Sequence, residues 1–130
     1  MALHTIVPLV NNQLRVESII DPGCQIIAMS EDCCHVLVLP YDPTILVNMQ
    51  SVNGIVDPSL GLVCNIPFLV GSLTVYMQVH VIHSPAYDIL IGQPFNVLTE
   101  SVIRNYHNKD QTITIHDPNS NCIVTIPTIS

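Results

Sequence analysis

Strict alternation of apolar and polar residues dominates the chain and predicts β-strands. In the longest such stretch the apolar positions are Leu73, Val75, Met77, Val79 and Val81, and the polar ones are Thr74, Tyr76, Gln78 and His80. Shorter stretches repeat the pattern over 14–20, 112–116 and 122–126. The last two flank an Asp-Pro-Asn-Ser-Asn sequence, which is typical turn chemistry. We therefore expect an all-β chain that ends in a hairpin.

Two segments break the alternation and are predicted to be short helices. Ser30 is a suitable N-cap for the first, with acidic residues in the first turn. Its inward-facing residues are expected to be Cys33, Val36 and Leu37. The second helix begins at Pro94, a residue favoured at the first helical position, and is expected to end near Asn105. Its apolar residues at helical spacing are Phe95, Leu98 and Val102.

The sequence shows no internal linker and no low-complexity tract, so residues 1–130 are expected to form a single domain. Hydrophobic residues make up 48% of the chain and charged residues only 10%, which suggests that a partner chain covers part of the apolar surface. The formal net charge of −7 disfavours nucleic acid and anionic membranes as partners. No apolar stretch approaches the roughly 18 residues of a membrane-spanning helix.

The five cysteines form no recognisable disulfide framework, and the first residues do not resemble a secretory signal. We therefore expect reduced thiols in an intracellular, cytoplasmic setting. The sequence Cys33-Cys34-His35 does not predict a metal site, because adjacent residues rarely converge on one ion. No metal and no other cofactor is expected.

The candidate chemistry lies in two apolar strands that each run into a glycine. The first is Ile19-Ile20-Asp21-Pro22-Gly23-Cys24, a carboxylate at a strand end followed by a sharp turn. The second is Tyr87-Asp88-Ile89-Leu90-Ile91-Gly92-Gln93-Pro94, which leads into the second predicted helix. Between them, Asn53-Gly54 is flanked by apolar residues, the strongest short-range signal for a hairpin.

In this order, the three features resemble the retropepsins, and more narrowly the protease domain of fungal gypsy-type LTR retrotransposons. The resemblance extends from about Val10 to Phe95. It implies an all-β fold, a retropepsin-like closed β-barrel or sandwich with one or two short helices that acts as half of a symmetric dimer. The implied site residues are Asp21 for catalysis, Pro22, Gly23 and Cys24 in the active-site loop, Asn53 and Gly54 in a flap, and Gly92 and Gln93 bracing the loop.

The function that the resemblance implies is that of an aspartic endopeptidase acting on a retroelement polyprotein. Each chain has a single Asp-x-Gly, so the two carboxylates that the chemistry needs must come from Asp21 of two chains in a homodimer. Two carboxylates this close share one proton, and together they activate a water that attacks the peptide bond. The substrate would be a peptide bound in extended form beneath the flap.

Two departures from the family pattern keep other hypotheses open. Pro22 stands where relatives have Ser or Thr, and Gln93 stands where Arg is common. One alternative is therefore a catalytically impaired retropepsin-like dimer that serves as an interaction or scaffold module. Another is an unrelated small β-barrel that binds a ligand, in which Asp21 is an ordinary turn residue.

Overall fold

The computed structural model describes residues 3–50, 54, 56–83 and 85–130. Within these ranges the chain forms thirteen strands and two short helices. The strands are β1 (His4–Ile6), β2 (Leu9–Val10), β3 (Leu14–Arg15), β4 (Ser18–Ile20), β5 (Ala28–Ser30), β6 (Asn48–Gln50), β7 (Val56–Pro58), β8 (Gly61–Val70), β9 (Leu73–Ile82), β10 (Ile89–Ile91), β11 (Val102–Asn105), β12 (Gln111–His116) and β13 (Ile123–Pro127). The helices are α1 (Glu31–Val36) and α2 (Gln93–Thr99).

Eight strands form one mixed sheet in the order β1-β4-β10-β5-β9-β8-β2-β3. Two of its pairings are parallel, β4 with β10 and β5 with β9, and the others are antiparallel. The sheet curls into a half-barrel whose outermost strands are β1 and β3. The prediction of an all-β fold with two short helices is confirmed.

The core lies on the concave side of this sheet, where the apolar face of β9 is buried and its polar face is not, as the alternation predicted. The sheet β11-β12-β13 adds its own apolar face to the same core through Ile113 and Ile115. The predicted C-terminal hairpin is confirmed, because β12 and β13 pair antiparallel around the turn. The stretch 14–20 forms two separate strands, and Leu14 is 44% exposed.

Helix α1 begins as predicted, since the Ser30 hydroxyl accepts a hydrogen bond from the Cys33 N–H at 3.0 Å. The prediction of its buried face was wrong at Val36, which is 63% exposed. The residues that face the core are Cys34 and Leu37, three positions apart. Val36 lies two positions from Cys34, which places it on the opposite side of so short a helix.

Helix α2 starts around Pro94 as predicted but ends earlier than expected. Glu100 adopts a left-handed conformation with φ 48°, and its N–H bonds back to carbonyls in the last turn. The chain then enters β11, whose Val102 pairs with Thr114 of β12. The helical spacing of Phe95, Leu98 and Val102 was therefore misleading, because pairing with a distant strand overrides a local pattern.

Glu100→Gly is expected to raise the free energy of unfolding by about 1 kcal/mol, because a side chain at φ 48° is strained and glycine is not. Urea unfolding measures the change. Glu100→Ala is the matched control: it removes the same carboxylate but keeps the strain, so it should bring no such gain. Equal effects of the two substitutions would contradict this account.

Candidate active site

Asp21 follows the end of β4, an inner strand of the sheet. β4 lies between β1 and β10, and Ile20 is paired with Ile91 in the parallel ladder. The Asp21 N–H continues this ladder by donating to the Ile91 carbonyl at 2.9 Å. Ile20 and Ile91 are buried, whereas the Asp21 side chain is only half-buried. The buried strands β4 and β10 therefore hold the Asp21 carboxylate near the protein surface.

The turn after β4 fixes the orientation of that carboxylate. The Gly23 N–H donates to Oδ1 of Asp21 at 3.1 Å, and the Cys24 N–H donates to the Asp21 carbonyl at 3.0 Å. Pro22 has no N–H, so Gly23 is the first residue of the turn that can donate. Pro22 and Gly23 are exposed and Cys24 is half-buried. One carboxylate oxygen is therefore held by the backbone, on a turn that another molecule can reach.

The second glycine motif lies directly behind this turn. The Gln93 N–H donates to the Cys24 carbonyl at 2.7 Å. A Cβ at Gly92 would lie 2.6 Å from the Cys24 carbonyl oxygen and still closer to that of Ile26, so only glycine fits. The Gln93 side chain is exposed. The structure thus brings Gly92 and Gln93 against the Asp21 turn, and the contact is made by backbone atoms.

Tyr87 is a neighbour of the site that the sequence analysis did not single out. It is half-buried, and burial, followed by the nearby Cys24 and Asp21, raises the pKa of its phenol. The phenol therefore stays protonated and can donate a hydrogen bond beside the carboxylate. In the sequence, the only indication that Tyr87 lies near the site was its position as the first residue of the second glycine motif.

The predicted flap corresponds to the antiparallel pair β6-β7, with Met49 opposite Asp57. Gly54 is exposed with φ 79°, a conformation that favours glycine, whereas Asn53 lies outside the described residues. A cleft of about 570 Å³ lies between this pair, the end of β9 and the segment before β10. Met49 and Tyr87 both line it, and the charge of Asp21 also contributes to the raised pKa of Tyr87.

Comparisons with solved structures identify the architecture. The retroviral protease-like domain of Ddi1 from Leishmania major matches with a TM-score of 0.73 and 18% identity, over 100% of this chain and 96% of that domain. A retropepsin-like aspartic protease from Rickettsia conorii matches with a TM-score of 0.57 and 20% identity, over 82% and 78% of the two chains. The fold is retropepsin-like. No family model and no curated protein matches the sequence.

Other kinds of site find little support in this retropepsin-like fold. The described residues contain no group of three or more His, Cys, Asp or Glu side chains placed to hold a metal ion. Neither helix in the described ranges is long and apolar enough to cross a membrane.

All five cysteines are free thiols, and burial followed by the charge of Asp88 raises the pKa of Cys33 to about 11. A thiol with so high a pKa is a poor nucleophile near neutral pH.

Gly92→Ala is expected to lower the free energy of unfolding by about 3 kcal/mol or more, because the added methyl group meets backbone carbonyls that cannot move aside. Gly23→Ala is the matched control. Its Cβ would meet only Oδ1 of Asp21, at 3.3 Å, so the fold should be retained within about 1 kcal/mol. Thermal and urea unfolding compare the two, and equal destabilisation would contradict the close approach described above.

Proposed function

We propose that the chain is one subunit of a homodimeric aspartic endopeptidase of retropepsin type, with residues 1–130 forming its single domain. The observation that carries the proposal is the Asp21 carboxylate, which a backbone N–H holds on an exposed turn of a retropepsin-like fold. One chain supplies one such carboxylate, and peptide hydrolysis of this kind needs two.

The chemistry proposed is general acid–base catalysis by Asp21 of both chains. Two facing carboxylates cannot both ionise, so the pair holds one proton. The ionised member takes a proton from a bound water, and the protonated member donates to the oxygen of the peptide carbonyl as the water attacks. Gly23 keeps each carboxylate in place through its N–H. The protonated phenol of Tyr87 is suited to hydrogen-bond the substrate backbone beside the pair.

The edge of the sheet next to Asp21 supports dimer formation. β1 pairs with β4 so that His4 lies opposite Ile20. Extending this register by one residue brings Leu3 next to Asp21. Leu3 is 58% exposed, an apolar side chain beside an exposed turn. The last residues of the chain join the same edge, where Thr5 and Ile129 exchange backbone hydrogen bonds of 2.7 and 2.8 Å. We propose that the subunit interface lies at this edge, where Ile129 is 57% exposed. Ile126, a candidate for the same interface, packs partly on the core of its own chain.

The substrate proposed is an extended segment of a retroelement polyprotein. The cleft between β6-β7, the end of β9 and the segment before β10 has a lining that includes Leu60, Ile82 and Pro85. An extended peptide fits such a cleft and would pair with the strands that cover it. The gypsy-type origin rests on the sequence resemblance around the two glycine motifs, and an intracellular, cytoplasmic location agrees with five free thiols.

A second candidate function is an inactive, retropepsin-like dimer that serves as a scaffold. Pro22 favours it, because proline lacks the hydroxyl and the N–H that could join the two Asp21 turns across the dimer. The exposed side chain of Gln93 also favours it, since no ion pair braces the turn there. Activity measurements separate the two candidates.

Asp21→Asn is expected to lower peptide cleavage by a factor of about 10² to 10⁴ or more, because an amide can neither take nor share the proton. The assay uses a peptide library near pH 5, where one proton on the pair is favoured, and it includes the inhibitor pepstatin. The matched control is Asp110→Asn, an exposed carboxylate between β11 and β12 that does not line the cleft. Cleavage that survives Asp21→Asn would exclude the mechanism, and a wild-type dimer without cleavage would favour the scaffold.

Pro22→Thr is expected to tighten the dimer several-fold and to raise peptidase activity. The hydroxyl and the N–H of threonine add hydrogen bonds between the two turns, each worth about 1 kcal/mol net, and symmetry doubles their number. Sedimentation and turnover measure the effect. Pro22→Ala is the control, because it removes the ring without adding a hydroxyl. Unchanged dissociation and turnover in Pro22→Thr would mean that other contacts hold the turns together.

A further inference from the structure

Strand β9 has an open edge. β8 pairs with it from Leu73 to Val81 on one side, whereas on the other side β5 pairs only with 80–82. In the part of the chain that the structure describes, residues 73–79 have no ladder partner on the β5 side. Seven of the ten residues of this central strand therefore have no partner on the β5 side.

Alternation along β9 decides which backbone groups point to this edge. β8 and β9 are joined by the two-residue turn 71–72, which pairs Val70 with Leu73. The residues that flank such a turn hydrogen-bond each other, so odd-numbered residues of β9 point towards β8. On the opposite side, the His80 N–H donates to the Ile27 carbonyl at 2.9 Å. The residues whose N–H and C=O groups point to the open edge are Thr74, Tyr76 and Gln78.

A groove of about 630 Å³ lies along the same edge. It is bounded by β9, by residues 25–27 after the Asp21 turn, and by α2. Val97 and Leu98 of α2 form an apolar wall and are 68% and 41% exposed. No lining residue is Lys, Arg, Asp or Glu, and burial lowers the pKa of His80, which favours its neutral form. The groove is therefore uncharged near pH 7.

The open segment carries none of the protective residues that natural sheet edges often have. Such edges carry charges, prolines or bulges, or are covered by a helix or loop; here α2 and residues 25–27 lie beside the edge but leave a groove between. Residues 74–78 contain no charge and no proline, and the irregularity at 63–66 lies in β8 rather than in β9. The unpaired backbone groups of this segment can therefore hydrogen-bond with an added strand.

We propose that this groove binds an extended, uncharged peptide segment of another protein, which adds to the sheet as a strand beside β9. Backbone donors and acceptors two residues apart select an extended strand. The α2 wall lies across the groove from this edge, so an added strand would lie between β9 and α2. Alternate apolar side chains of the peptide would pack on Val97 and Leu98, and the net charge of −7 disfavours an acidic peptide.

Amide hydrogen exchange of the free protein, followed by NMR, tests the open edge. The amides of Tyr76 and Gln78 are expected to exchange at least tenfold faster than those of Val75 and Met77, which bond to β8. Equal protection of all four amides would overturn the proposal, because the edge would then be occupied within the chain.

Binding is tested with a fluorescein-labelled peptide without charged side chains, Ser-Thr-Val-Thr-Val-Thr-Val-Ser, and with the same peptide N-methylated at alternate residues. The protein carries Asp21→Asn, so the outcome does not depend on the proposed peptidase activity. We expect the methylated peptide to bind at least tenfold more weakly. Equal binding of the two peptides would overturn the proposal, because the backbone groups would not matter.

Val97→Asp is expected to weaken binding of the unmethylated peptide at least tenfold by placing a charge on the apolar wall. The matched control is Val36→Asp on α1, which is similarly exposed at 63% and does not line the groove. Equal effects of the two substitutions would overturn the proposal. A change in sedimentation caused by Val97→Asp alone, without peptide, would overturn it as well, because the groove would then bind a second copy.

Discussion

The parallel pairing of β4 with β10 is the contact on which the candidate site depends. It places the ends of two strands, Ile20 and Ile91, which are 71 positions apart in the chain, side by side in the sheet. Asp21 follows one end and Gly92 the other, so the carboxylate turn and the glycine that supports it are consequences of one ladder. The hydrogen bonds from Asp21 to Ile91 and from Gln93 to Cys24 then join the two connections beyond the strands.

Two glycines are needed for different physical reasons. One leaves space for neighbouring backbone atoms, and the other adopts a backbone conformation that favours glycine. Gly92 has φ −89°, which any residue can adopt, yet carbonyl oxygens occupy the place of a side chain. Gly54, at the hairpin, has open space around it and instead has a positive φ. Gly92 therefore allows two loops to approach each other closely, whereas Gly54 adopts the positive φ of the chain reversal between β6 and β7.

Much of the fold could be predicted from local patterns, because alternation reports burial directly. β9, the terminal hairpin and the cap of α1 follow from residues close in sequence. The end of α2 could not be predicted, since Glu100 is an ordinary helix former and the strand that captures Val102 lies on a distant segment. Tyr87 was missed for a similar reason, because its nearness to Asp21 depends on the β4-β10 pairing rather than on any local pattern.

The shortage of positive charge shapes the chemistry open to Asp21. The chain has only three Lys and Arg residues, and the one ion pair in the described residues joins His83 and Glu31 at 3.2 Å. Among the described residues no Lys or Arg pairs with the Asp21 carboxylate, whose hydrogen-bond partner is the Gly23 N–H. In the proposed dimer, two such carboxylates would face each other with no cation nearby among the described residues, and sharing one proton would relieve their repulsion.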